Sequence, residues 1–229
     1  MPSQKNSTKS TVKSTALPRH SLFFPLLTLV LVMWFLYRSL FVFPVWFDET
    51  VGKALFFALP VWVYVTLTGY QKIADSFSSY KLREGLLLGV AIGGMYGFVM
   101  SILSLAQSGA TIEAVLLFDS PYFWQEFSLA MLTSFWETLL FFSFVMTVVM
   151  DKYKQWSMIK TVLVTAALFL IFHVPNTLLR FSGSQVVSQL LILALFGVGQ
   201  ALLFYDRKNA YALVLSQAIW GMVLLVHAW

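Results

Sequence analysis

The 229-residue sequence contains no cysteine. This absence excludes disulfides, palmitoylation, catalysis by a thiolate and metal sites with cysteine ligands. Charged residues are also scarce: they make up 11% of the chain, whereas soluble globular domains carry about 25%. Because 59% of the residues are hydrophobic, the composition excludes an ordinary soluble domain and predicts a protein whose main solvent is lipid.

Seven apolar runs are each long enough to cross a bilayer as a helix, which takes about 17 to 25 residues. They cover residues 22–43, 54–70, 85–105, 128–150, 161–179, 186–204 and 211–228. We therefore predict an all-α fold, a polytopic transmembrane helical bundle of about seven spans that forms a single domain over residues 21–229. Residues 1–20 are rich in Ser, Thr and Lys and have no apolar periodicity, so we predict a disordered basic arm there.

The basic residues are distributed unevenly between the two sides of the predicted bundle. Of the 15 Lys and Arg residues, all except Arg38, Lys53 and Arg180 lie in the N-terminal arm or in loops on its side of the membrane. This pattern predicts an N-terminus inside and a C-terminus outside. It also accounts for the net charge of +5 without nucleic acid. We expect a multi-pass integral protein of the cell membrane. Lys53 and Arg180 are assigned to outer loops, and Arg38 is expected to extend toward the outer headgroups.

One carboxyl group, that of Glu137, is predicted to lie deep inside a span, because every other acidic residue falls in a loop or at a span end. It lies roughly 14 Å below the outer end of the fourth span, where a charge costs on the order of 2.5 to 3.5 kcal/mol. His173 in the fifth span has a similar depth, and we predict that the two side chains meet. Gln217 is a third polar residue at mid-depth. For each of them the alternative is a purely structural hydrogen bond between helices.

The polar residues inside the predicted spans limit the hydrolytic chemistry of the bundle. No Asp lies within a predicted span, and the sequence has neither a Gly-x-Ser-x-Gly elbow nor a His-Glu-x-x-His pair. A catalytic zinc normally has three protein ligands, and only Glu137 and His173 are available at depth, so we predict no metal and no cofactor. General base catalysis by the carboxylate remains, with the histidine orienting a water or protonating the leaving group.

Three segments of the second half carry a further signal. Residues 137–143 read ETLLFFS, residues 168–176 read LFLIFHVPN, and residues 195–221 read LFGVGQALLFYDRKNAYALVLSQAIWG. They resemble the motifs of the CPBP family, the CAAX prenyl endopeptidases and bacteriocin-processing proteins, which are intramembrane glutamic proteases. The resemblance places Glu137 on the catalytic glutamate of Glu-Glu-x-x-x-Arg. It also keeps the family's Phe-x-x-x-His motif intact as Phe169 to His173.

The sequence differs from the family motifs at four positions. Thr138 replaces the second glutamate, and Phe142 replaces the arginine. Gln217 replaces the second histidine, and Gly221 replaces the asparagine that follows it. The resemblance implies that the last two positions stabilise the oxyanion, and losing one such donor typically costs about 100- to 1000-fold in rate. The amide of Gln217 retains donor groups for this role.

The sequence therefore predicts an intramembrane endopeptidase that cleaves a peptide or a lipid-modified protein substrate within the bilayer. The predicted catalytic residues are Glu137, His173 and Gln217, and the residues expected to line the substrate cavity are Ser134, Phe169, Asn176 and Gly221. Two alternatives remain open. One is a catalytically inactive relative that acts as a peptide-binding, immunity or scaffolding protein, and the other is a transporter or proton relay with Glu137 and His173 as consecutive proton sites.

Overall fold

The computed structural model describes residues 20–108 and 122–227, and all regular secondary structure within these ranges is helical. Two short 3₁₀ helices, Gln71–Phe77 and Ser79–Lys81, join the second long helix to the third. The long helices are α1 (Phe23–Leu40), α2 (Val45–Thr68), α3 (Leu82–Ser108), α4 (Phe123–Lys152), α5 (Met158–Arg180), α6 (Ser184–Arg207) and α7 (Ala210–His227).

The helices have the length and composition of membrane spans. Within the described ranges, six helical segments are long and apolar enough to cross a bilayer, and the apolar segment Ala210–Met222 of α7 is shorter. The prediction of a polytopic, all-α transmembrane bundle is thereby confirmed. The predicted basic arm lies, apart from its last residue, outside the described residues.

Local sequence signals set several helix ends. The side chain of Ser157 caps α5 by accepting a hydrogen bond from the backbone N–H of Lys160 at 3.3 Å. The chain leaves α2 through Gly69, whose φ of 66° lies in the left-handed region that glycine adopts without steric cost. Pro44 precedes the first turn of α2, where its missing N–H removes no helical hydrogen bond.

Helix α4 forms the centre of the bundle. In its apolar window 67% of the residues are buried, against 22 to 39% in the other five candidate spans. Residues 140–146 are buried on every side, as expected for a helix that is surrounded by other helices rather than by lipid. Immediately after Glu137 the hydrogen bonding of α4 changes from the α to the wider π form, which persists over Thr138–Met146. Such π segments occur frequently at functional sites.

The beginning of α2 differs from the sequence prediction. The second span was predicted to begin at residue 54, with the charged residues before it in an outer loop, whereas α2 begins at Val45 and includes Asp48, Glu49 and Lys53. The expectation that no Asp lies in a span is therefore wrong for Asp48. These charges are tolerated within the helix because each one is paired with an opposite charge.

The predicted position of Arg38 is also corrected. Its guanidinium does not extend to the headgroups but is buried in an ion pair with Asp48 of α2. The Tyr37 hydroxyl donates a further hydrogen bond to the same carboxylate at 2.5 Å. Hydropathy alone treats each of these residues as a polar interruption, whereas their mutual pairing allows α1 and α2 to pack together.

Candidate active site

A cavity of about 490 Å³ lies between α2, α4, α5, α6 and α7. Residues from all five helices line it, and most of the lining surface is apolar, although many of the lining side chains end in charged, amide or hydroxyl groups. A lining of this kind is typical of ligand sites. All seven residues that the sequence singled out lie along the cavity: Glu137, His173, Gln217, Ser134, Phe169, Asn176 and Gly221.

Glu137 lines this cavity with only 3% of its surface exposed. Its Oε1 accepts a hydrogen bond from the Lys53 ammonium at 2.5 Å, and its Oε2 accepts one from the side-chain amide of Gln217. The Nε2 atom of His173 lies 3.4 Å from the same Oε1. Three helices besides α4 therefore present polar groups to this one carboxylate.

The hydrogen bonds of His173 determine which of its nitrogens carries a proton. Nδ1 lies 2.7 Å from the backbone carbonyl oxygen of Phe169. Because a carbonyl only accepts hydrogen bonds, Nδ1 must be the protonated nitrogen. In a neutral imidazole Nε2 would then present a lone pair to a carboxylate oxygen of Glu137 3.4 Å away. The contact between Nε2 and Oε1 is attractive only if a second proton, in addition to the one on Nδ1, lies between His173 and Glu137.

Lys53 is a site residue that the sequence analysis missed. It was assigned to an outer loop, but its side chain is 4% exposed and its ammonium bridges the carboxylates of Glu137 and Glu49. The one sequence signal for its position is the Glu49–Lys53 spacing of four residues, which pairs the two side chains on a helix. The contact with Glu137 joins residues 84 positions apart and has no local signature.

Glu49 has partners on two further helices. Its Oε2 accepts a hydrogen bond from the Thr133 hydroxyl of α4 at 2.9 Å. Its Oε1 lies 3.7 Å from the guanidinium of Arg180, at the end of α5. The ammonium of Lys53 and the half-exposed guanidinium of Arg180 together balance the two carboxylates of Glu49 and Glu137. This balance is what allows ionised groups to remain buried at such a site.

The amide side chains of Gln217 and Asn176 have hydrogen-bonding groups at the cavity that a bound molecule could use. Gln217 uses one amide N–H for Glu137, and its Oε1 has no hydrogen-bond partner among the described residues. The Oδ1 of Asn176, one turn after His173, likewise has none within the described part of the chain. Since a primary amide has two N–H donors, Gln217 retains one N–H for a bound molecule.

Two of the residues that depart from the family motifs, Thr138 and Phe142, lie beside the polar centre of the site rather than within it. Thr138 and Phe142 are fully buried, and Phe142 packs its ring 6.0 Å from that of Phe169 and 6.3 Å from that of Phe204. The sequence of α4 has no Lys, Arg or His from residue 123 to residue 150. The cation next to Glu137 therefore comes from another helix.

Several contacts hold the helices that carry the site. The indole N–H of Trp34 donates to the carbonyl of Phe172 at 3.0 Å, which connects α1 to α5 at the residue before His173. The ring of Phe169 lies 4.1 Å from the imidazole of His173. The side chain of Gln200 donates to the Ser216 hydroxyl at 3.0 Å, which connects α6 to α7 at the residue before Gln217.

The site offers a proton acceptor, a shared proton and amide donors at the wall of a mostly apolar cavity. Among the described residues, no group of three or more His, Asp or Glu side chains could hold a metal ion. The groups that are present suit general acid–base chemistry, because the carboxylate and the imidazole face each other at 3.4 Å.

The second half of the chain matches a known family. Residues 119–223 match the family described as type II CAAX prenyl endopeptidase, Rce1-like. The matched range includes Glu137, His173 and Gln217, and it confirms the resemblance predicted from the motifs. Searches of curated proteins and of solved structures find no match to the chain.

Proposed function

Because residues 119–223 are similar to type II CAAX prenyl endopeptidases, we propose that this multi-pass membrane protein is an intramembrane endopeptidase. The observation that carries the proposal is the 3.4 Å approach of His173 Nε2 to Glu137 Oε1 at the wall of a cavity of about 490 Å³. The substrate is a peptide or a lipid-modified protein within the bilayer of the cell membrane. The charge pattern of the loops favours access to the site from the outer leaflet.

In the proposed reaction Glu137 is the general base. Its carboxylate takes a proton from a water molecule in the cavity, and the water oxygen forms a bond to the carbonyl carbon of the scissile peptide. The negative charge moves to the carbonyl oxygen, where the free amide N–H of Gln217 and the amide of Asn176 donate hydrogen bonds. The carbon–nitrogen bond then breaks, and the leaving amine takes a proton from the Glu137–His173 pair.

Cleavage by purified protein in lipid tests this assignment. Glu137→Gln keeps the size of the side chain and removes its basicity, and His173→Ala removes the proton partner. Each change is expected to lower the rate of cleavage of a reporter peptide by about 100- to 10,000-fold. Glu84→Gln is the matched control, because Glu84 is two-thirds exposed and pairs with Arg207 away from the cavity. Cleavage that persists in the Glu137→Gln variant would rule out the mechanism.

A second candidate function is peptide binding without hydrolysis. The observation that favours it is that both oxygens of Glu137 already accept hydrogen bonds, from Lys53 and from Gln217. In an inactive relative the cavity would hold a peptide segment and release it intact. This candidate predicts that peptides shown to bind the wild-type protein are recovered uncut and bind equally well to the His173→Ala variant.

A further inference from the structure

The counter-charge of Glu137 comes from a neighbouring helix. The Lys53 ammonium of α2 lies 2.5 Å from Glu137 Oε1, and 4% of each of the two side chains is exposed. A lysine in a membrane helix ordinarily extends its long side chain toward the interface. Here the side chain points inward instead, so the pull of the two carboxylates exceeds the gain from reaching water.

The contact belongs to a continuous chain of charges. Arg180 faces Glu49, Glu49 and Glu137 share the Lys53 ammonium, and Glu137 faces His173. Lys53 also lies between two π segments of α2, Asp48–Gly52 and Ala54–Ala58, so the helix is locally widened on both sides of it. Both residues of the Lys53–Glu137 pair therefore adjoin an irregular stretch of their own helix.

We propose that Lys53 is a positioning residue: its ammonium holds the Glu137 carboxylate in the ionised form with Oε1 facing His173. Glu49 holds the ammonium in turn, with Thr133 and Arg180 as its own partners. Without Lys53 the buried carboxyl of Glu137 retains a proton and cannot take one from water. The effect on cleavage rests on the proposed protease function, whereas the pairing and its effect on protonation do not.

A double-mutant cycle on thermal unfolding in detergent tests the pairing without any substrate. Lys53→Met leaves the buried carboxylates without their cation and is expected to lower the midpoint by about 6 to 20 °C. The double variant Lys53→Met/Glu137→Gln should lose less in unfolding midpoint than the sum of the losses of the two single variants. Lys154→Met is the matched control, because Lys154 is exposed, and should shift the midpoint little. Strictly additive effects of the Lys53 and Glu137 changes would overturn the pairing.

Infrared spectroscopy tests the protonation of Glu137 directly. Lys53→Met should show a carbonyl band of a protonated carboxyl group at neutral pH that the wild type lacks. The band should disappear when Glu137→Gln is added, which assigns it to Glu137. If Lys53→Met gains no such band, Lys53 does not keep this carboxylate ionised and the proposal fails.

Kinetics then separate the positioning role from the protease function. If the wild type cleaves peptide, Lys53→Met should lower kcat by about 100-fold or more with KM nearly unchanged. Lys53→Arg should recover part of kcat, because a guanidinium keeps the charge. Wild-type kcat in Lys53→Met would refute the positioning role while the protease function stands. If the wild type cleaves nothing, the protease function fails, and the unfolding cycle and the infrared band still decide the pairing.

Discussion

Replacing Gly89 by alanine tests whether close packing of α3 against α7 keeps the site residues of α7 in place. Gly89 lies on the face of α3 that packs along α7, in a row with Gly85 and Gly93. An added Cβ at Gly89 would lie 2.8 Å from the Leu215 Cβ and 3.0 Å from the carbonyl oxygen of Ala212. Carbon atoms at optimal separation are about 3.5 to 4.0 Å apart. The two helices must therefore move apart to accommodate a single methyl group.

The magnitude follows from a comparison with Gly94, five residues further along the same helix. A Cβ at Gly94 meets nothing within 4 Å. Both substitutions gain the same helix propensity, about 1 kcal/mol for Gly to Ala, so this gain cancels between them. Overpacking costs typically 1 to 3 kcal/mol. At about 2 to 4 °C per kcal/mol for a chain of this size, the midpoint of Gly89→Ala should lie about 2 to 12 °C below that of Gly94→Ala.

Thermal unfolding in detergent, followed by the fluorescence of the eight tryptophans, measures this difference. The same displacement should reduce cleavage, because α7 carries Gln217, whose amide donates to Glu137. Gly94→Ala should match or exceed the stability of the wild type. Equal midpoints for the two variants would show that α3 and α7 do not pack closely enough at Gly89 for an added Cβ to clash with Leu215.

Two further predictions concern the ion pair between α1 and α2 and the orientation in the membrane. Arg38→Met leaves the buried Asp48 carboxylate without its cation and should cost about 3 to 5 kcal/mol of unfolding free energy. Adding Asp48→Asn should recover much of that loss in the same unfolding assay, and no recovery would contradict the pairing. Because the chain has no cysteine, single cysteines at Ser182 and Lys154 report the topology. A membrane-impermeant thiol reagent should label only Ser182→Cys in intact cells, and external labelling of Lys154→Cys would reverse the predicted orientation.

Hydropathy and motif together predicted the bundle and the segment that matches the family. Apolar runs are sufficient for the spans because a helix satisfies its backbone hydrogen bonds internally and needs only apolar side chains toward lipid. Glu137 and His173 stand out in the sequence because a carboxyl and an imidazole in the middle of a span are costly unless each has a polar partner. Their catalytic roles remain predictions, although the structure places the two side chains 3.4 Å apart.

The tertiary structure alone decided where the charges of α2 lie and how the site is balanced. The distribution of charges along the sequence assigned Lys53 to an outer loop and Arg38 to the outer headgroups, since each of them by itself is too costly to bury. Their partners come from other parts of the chain: Glu137 is 84 positions from Lys53, and Asp48 belongs to the helix after that of Arg38. A hydropathy window adds one residue at a time, whereas the free energy of a buried charge depends on the opposite charge that packing brings to it.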